Sequence, residues 1–115
     1  MDIKKLEYIS TLPDPPYYAV IFTSYKAEYD EGYSKTAQHM LELAALQPGY
    51  LGVDSARENS TGITVSYWRD EASIHQWKQQ LEHQQAQQLG RTQWYEEYSV
   101  RIAKVERSYS FRRGL

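Results

Sequence analysis

"YYAVIFTSY", residues 17–25, is the stretch on which the fold turns. Ala19 and Ile21 fall on one side of an extended chain, Val20 and Phe22 on the other, so the strand is apolar on both faces. A strand of that kind has to be covered twice. Before it, "LPDPP" (residues 12–16) carries prolines that fix φ and lack amide donors, so residues 1–16 read as an extended lead-in. After it, Tyr33, Ala37, Met40, Leu41 and Ala44 recur at helical spacing behind the acidic pair Asp30 and Glu31, and Pro48-Gly49 ends the run. "YLGVDSARE" and "GITVSYW" alternate as two strands of a hairpin, with Asn59 to Gly62 supplying the turn. Asp70 is placed to cap a second helix. In "EYSVRIAKVERSYSF" (residues 97–111), Tyr98, Val100 and Ile102 alternate with Arg101, Ala103 and Val105, a fourth strand long enough to overhang a small sheet.

The order βαββαβ predicts an α+β, ferredoxin-like fold: a four-stranded antiparallel sheet with both helices on one face. The opposite face of the doubly apolar strand then needs a cover, and a second copy of the chain supplies it, which predicts a homodimer whose sheets form an α+β barrel.

The chain of 115 residues is the size of one domain, 1–115, with 112–115 as a tail. Its 13 Lys+Arg against 15 Asp+Glu are scattered, so nothing gathers phosphate backbones and nucleic acid is not an expected partner. There is no cysteine, which removes thiolate chemistry and disulfides. The longest apolar run is too short for a bilayer and "MDIKK" leads into no signal-peptide core, so no membrane is expected and a cytoplasmic location is. The aromatic balance is unusual: 11 Tyr and 3 Trp against 2 Phe mean that most rings carry a polar atom, which suits a half-polar cavity or an interface.

The second helix holds a phase problem. Ile74, Trp77 and Leu81 share a stripe, whereas His83 falls roughly 150° away at about 100° per residue. His83, Ala86 and Gly90 then begin a stripe of their own. This predicts a break between Leu81 and His83 that turns His83 inward over the sheet.

The stretch "SIHQWKQQLEHQQAQQLGRTQWYEEYSVRIAKVERSY" (73–109), preceded by "GITVSYWRD", resembles the antibiotic biosynthesis monooxygenase family of small dimeric α+β barrel proteins. The matching positions are Tyr67-Trp68, Trp77, His83, Ala86, Gly90-Arg91, Trp94-Tyr95, Tyr98 and Arg101-Ile102, with "YYAVIFTS" near the start. The resemblance implies a cavity between each sheet and its helices; members of the family include cofactor-independent oxygenases of phenolic or quinol-like molecules, haem-degrading enzymes and proteins with no established reaction. The haem-degrading branch carries an iron-ligating histidine where this chain has Gln87, and an asparagine that "AVIFTSY" lacks, which leaves haem the least favoured reading.

Within that frame His83 is the candidate base, because a neutral imidazole removes a phenolic or enolic proton near neutral pH. Tyr98 would orient it; the structural alternative is a histidine bonded to a carbonyl or to Tyr98. Trp68 and Trp77 are candidate aromatic walls, with core packing as the alternative. Arg101 and a tyrosine such as Tyr67 would steady a substrate oxyanion, unless Arg101 pairs with Glu97 or Glu106. His39 and His75 lie on polar faces. No two histidines have helical zinc spacing and there is no glycine-rich phosphate loop, so neither metal nor cofactor is expected. The expected function is that of a cofactor-independent monooxygenase-like protein for a small aromatic or polyketide-type substrate, with molecular oxygen as co-substrate. The alternative is a non-catalytic dimer that binds a small molecule.

Overall fold

A computed structural model of the chain describes residues 8–27, 32–88 and 94–114, apart from the side chains of residues 34 and 82–88. Six elements follow one another as β1 (Tyr17–Lys26), α1 (Tyr33–Ala45), β2 (Tyr50–Glu58), β3 (Thr61–Trp68), α2 (Glu71–Gln88) and β4 (Tyr95–Val105). The sheet order is β2-β3-β1-β4 with every pairing antiparallel, so the βαββαβ expectation holds and the doubly apolar β1 is an inner strand.

Local chemistry explains the boundaries. The β1 ladder starts at Tyr17 because Pro16 has no N–H to contribute. Gly32, in the left-handed region at φ 79°, precedes α1 without a side-chain cap. Asp30 and Glu31, expected there, lie outside the described residues. Gly49, at φ 86°, turns the chain into β2, and a Cβ there would strike the Ser73 side chain. At the head of α2, the Asp70 carboxylate accepts from the Ser73 amide at 2.8 Å and from its hydroxyl at 2.7 Å, satisfying an otherwise unpaired N-terminal donor.

Three expectations change. The hairpin turn is only Asn59-Ser60, since Glu58 pairs with Thr61 and Gly62 is a buried strand residue. Strand β4 stops at Val105 because β1 begins opposite it and offers nothing further to pair; residues 106–114 continue without regular structure, with Tyr109 and Phe111 exposed. And α2 is one continuous helix from Glu71 to Gln88, so the break between Leu81 and His83 is absent. The change of apolar phase there is not a break in the backbone.

Cross-strand register sorts every strand residue onto one of two faces. Tyr18, Val20, Phe22 and Ser24 of β1 share the helix face with Trp68, Ser66, Thr64 and Gly62 of β3 and with Lys104, Ile102, Val100 and Tyr98 of β4. Ala19, Ile21, Thr23 and Tyr25 face the other way, beside Tyr67, Val65, Ile63 and Thr61. The main core cluster lies on the helix face, where Ala44, Trp68 and Ile74 are buried and Tyr18, Val20, Tyr50 and Trp77 pack around them, while Tyr17 and Ala19, each 5% exposed, are buried on the opposite face. Trp68 is the centre, 0% exposed, with its ring stacked on Trp77 at 6.2 Å and edge-on to Tyr50 at 5.6 Å. Its indole N–H donates to Ser66 Oγ at 2.8 Å, so no polar atom of the ring is stranded. The described N-terminal segment runs beside β2: the Ser10 amide donates to Asp54 at 2.8 Å and its hydroxyl to the Val53 carbonyl at 2.6 Å.

Candidate functional site

The register divides the expected site residues between the two faces. Trp68, Trp77 and Tyr98 belong to the helix face. Tyr67 and Arg101 belong to the opposite one, since Tyr67 pairs with Ala19 and Arg101 with Ile21. Alternation along β3 and β4 makes this unavoidable, because Tyr67 directly precedes Trp68 and Arg101 lies three residues from Tyr98. Within one chain, therefore, Arg101 and Tyr67 do not share a helix-side cavity with Tyr98. Tyr67 donates to Asp54 at 2.9 Å, and burial together with that bond pushes its pKa up to about 12. Arg101 is exposed and donates to Ser99 Oγ at 2.8 Å, with no ion pair to Glu97 or Glu106. The His83 side chain lies outside the described residues; its backbone is part of α2.

Along the helix face the inner strands are closed, with Trp68 0% and Ser24 3% exposed, and the open part lies along the edge strand β4. Val100 and Ile102, both on the helix face of β4, remain 50% and 52% exposed, and Tyr98 39%. With half-buried Phe22 they form an apolar and aromatic floor. Phe22 lies 5.5 Å from both the Tyr98 and Tyr95 rings, and Tyr95 and Tyr98 meet edge to face at 5.8 Å.

At the edge of this floor stands a polar group that the sequence reading missed. Arg57, opposite Gly62 on β2, passes its guanidinium across that glycine to reach β1; a Cβ on Gly62 would lie 2.6 Å from Arg57 Cζ. Nη2 of Arg57 donates to Ser24 Oγ at 3.1 Å and to the Tyr33 hydroxyl at 2.9 Å, and Nη1 to the Ser60 carbonyl at 2.9 Å. The Tyr33 and Tyr95 hydroxyls share a hydrogen bond at 3.3 Å. Arg57 Cζ and Lys26 Nζ each sit 5.4 Å from the centre of the Tyr33 ring, within cation–π range. Burial and the bond to Tyr33 raise the Tyr95 pKa well above that of a free phenol, so Tyr95 stays protonated and serves as a hydrogen-bonding group rather than a base. Trp94 packs edge-on against Tyr33 at 5.7 Å.

The signal for Arg57 was present: in a hairpin, an arginine directly across from a glycine can lie over it. Counting Gly62 with the turn concealed the pairing. A shallow depression of about 960 Å³ around the β2-β3 turn, lined by Tyr25, Ala56, Arg57, Ile63 and the turn, contains none of the expected site residues. Among the described residues no group of three or more His, Asp or Glu is placed to hold a metal ion, and no helix is long and apolar enough to cross a membrane.

A ferredoxin-like βαββαβ unit with an aromatic floor between sheet and helices defines the structural class. The sequence matches the antibiotic biosynthesis monooxygenase family over residues 16–89, and the chain belongs to that family. An uncharacterized protein of Bacillus subtilis (strain 168), YqjZ, is 53% identical over 107 residues, covering 92% of this chain and 94% of that one. Among solved structures, SnoaB, a cofactor-independent oxygenase from Streptomyces nogalater, superposes with a TM-score of 0.68 at 10% identity, covering 82% of this chain and 97% of its own. Protein SO0527 from Shewanella oneidensis gives a TM-score of 0.69 at 9% identity over 87% of this chain and 100% of its own. At such identities these two superpositions speak for the fold.

Proposed function

We propose that this chain is a cofactor-independent monooxygenase-like protein that binds a small aromatic or polyketide-type molecule on the helix face of its sheet. The observation that carries the reading is the half-exposed floor of Phe22, Tyr98, Val100 and Ile102 beside protonatable and cationic groups. Membership of a monooxygenase family and the fold shared with an oxygenase that needs no cofactor support it. The substrate supplies the electrons. Once an activated methylene or phenol has lost a proton, its anion reduces dioxygen, a C–O bond forms, and the second oxygen leaves as water; a methylene becomes a carbonyl and the equation balances without an external reductant. His83 is proposed as the base on its place in the family motif, since the continuous α2 removes the break expected to turn it inward; Tyr98 is the ring beside the reacting molecule, and Trp68 stacked on Trp77 the rigid support behind the floor.

The open face enters the same proposal. Ile21, Val65 and Ile63 lie together on it, with Ile63 47% exposed, and a second copy covering them would form the dimer expected of a doubly apolar β1. Arg101 and Tyr67 would then belong to the dimer interface rather than to the substrate floor.

The test is an oxygen-electrode assay against a panel of anthrones, quinols and catechols. Uptake that His83→Ala lowers roughly 10²-fold or more, with the fold intact by thermal melt, is the expected outcome. Saturable binding without uptake would replace the enzyme reading with the non-catalytic binding dimer.

A further inference from the structure

We infer that Arg57, Tyr33 and Tyr95 form a binding site for an anionic oxygen carried on a planar aromatic molecule, a carboxylate or a phenolate, whose ring lies on Phe22 and Tyr98. Donors outnumber acceptors in this cluster. A guanidinium has five N–H donors, and the Arg57 contacts to Ser24, Tyr33 and Ser60 use three. The Nε–H and one Nη1–H remain without a partner among the described residues, and Arg57 has no carboxylate partner there. The tyrosine pair adds another donor. One phenolic hydrogen is spent between the two hydroxyls and Tyr33 already accepts from Arg57, so whichever way the pair is oriented, the second phenolic hydrogen has no acceptor among the described residues. Beside Tyr33, Trp94 is 7% exposed and its buried indole N–H has no acceptor among the described residues. Arg57 is exposed, so its free N–H groups are open to a ligand, whereas the Trp94 donor beside it is buried; a cluster this rich in donors and positive charge suits a ligand that brings only acceptors.

Geometry narrows the class of ligand. Arg57 and Tyr98 occupy one row across the sheet through Gly62 and Ser24, and the exposed floor runs from that row toward Val100 and Ile102. Six strand residues, about 20 Å, separate Gly62 from the closed Trp68 core. A flat molecule with its anionic oxygen at Arg57 therefore extends over Phe22 and Val100 and does not depend on the tryptophan stack. Tyr95, held protonated, donates without competing for the substrate's proton.

The inference rests on the floor being where an aromatic molecule lies, but its test does not require turnover. Calorimetric titration of the full chain with 2-naphthoate against its methyl ester, and at pH 8.5 with 4-nitrophenolate against 4-nitroanisole, separates the carboxylate and phenolate sources. In at least one pair the anion should bind about 10-fold or more tightly than its neutral partner. Arg57→Met should abolish that preference while changing the affinity of the neutral partner less than about threefold, and Tyr95→Phe should reduce it. Equal binding of anion and neutral partner by the wild type in both pairs overturns the proposal, as does a preference that survives Arg57→Met. Should Arg57→Met fold poorly, Arg57→Lys serves in its place: a preference reduced but present supports a guanidinium-specific site, and an unchanged one overturns it. Oxygen uptake without any anion preference would leave the enzymatic reading standing and remove this one; the reverse result would do the opposite.

Discussion

Gly62→Ala disturbs the Arg57 cluster without altering any of its members. The added Cβ would lie 2.6 Å from Arg57 Cζ, a separation that real Cβ contacts essentially never show, and the Nη2 atom would be closer still. The obstacle is the far end of a flexible side chain, so the backbone need not move and the guanidinium swings away. It then gives up its hydrogen bonds to Ser24 and Tyr33. Bonds to a charged donor are worth about 1.5–3 kcal/mol when buried, and those of the exposed Arg57 belong at or below the low end. Against this, alanine in a strand gains about 0.5–1 kcal/mol over glycine through the unfolded chain. The net loss of stability is therefore small, about 1–2 kcal/mol, read as a lower urea midpoint at unchanged slope. Anion binding should suffer far more. Gly62→Ala should lose most of the preference for 2-naphthoate over its ester, and adding Arg57→Met should remove little further, because both changes act through the same group. Full anion preference in a folded Gly62→Ala protein would show that the position of the guanidinium is irrelevant, and the reasoning would fail.

Four other outcomes follow from the same contacts. Trp68→Ala, which empties the centre of the core, should cost about 3–5 kcal/mol in chemical denaturation, and Trp77→Ala, at its half-buried partner, clearly less. The Asp70 carboxylate is held below the ordinary carboxylate range, first by its hydrogen bonds to Ser73, so its support of α2 is complete above pH about 4 and is lost as pH falls through the depressed folded value. Acid unfolding of Asp70→Asn should lack that component. Tyr67, pushed up to about 12, works in the opposite sense: its contribution is intact below pH about 10 and lost as pH rises toward 12, and ultraviolet titration of Tyr67→Phe should show one late-ionising phenol fewer. On the open face, Ile63→Glu should shift sedimentation from dimer to a monomer of 13.5 kDa, whereas a wild type that sediments as a monomer would remove the dimer from the proposal.

Helix spacing, turn composition and the doubly apolar β1 were enough to place all six elements, because each rests on local periodicity that needs no partner to be read. Contacts across the sheet were less accessible. Arg57 reads as an ordinary polar strand residue until its register partner is known, and Tyr33 and Tyr95, 62 positions apart in sequence, meet only once β1 has brought α1 and β4 to the same end of the sheet. The break in α2 was inferred from side-chain phase alone. A continuous run of backbone hydrogen bonds carries the helix through a change of phase that side-chain packing would not predict.

Within one chain, strand parity separates Arg101 and Tyr67 from Trp68 and Tyr98, by a rule the sequence did contain. Successive strand residues point to opposite faces, so Tyr67 and Trp68 cannot both line the helix side, and neither can Arg101 and Tyr98, three residues apart. Family resemblance groups residues by position in a motif, whereas strand parity sorts them by face; where the two disagree, parity is the physical constraint. Applied to this sheet, it removes one arginine from the helix side and supplies another. Arg101 turns toward the open face, while Arg57, at even spacing from Val53 and Ser55, turns toward Ser24, Tyr33 and the aromatic floor. The positive charge expected beside a substrate oxygen is thus present on the helix side, from a different strand, and within reach only because residue 62 has no side chain to block it.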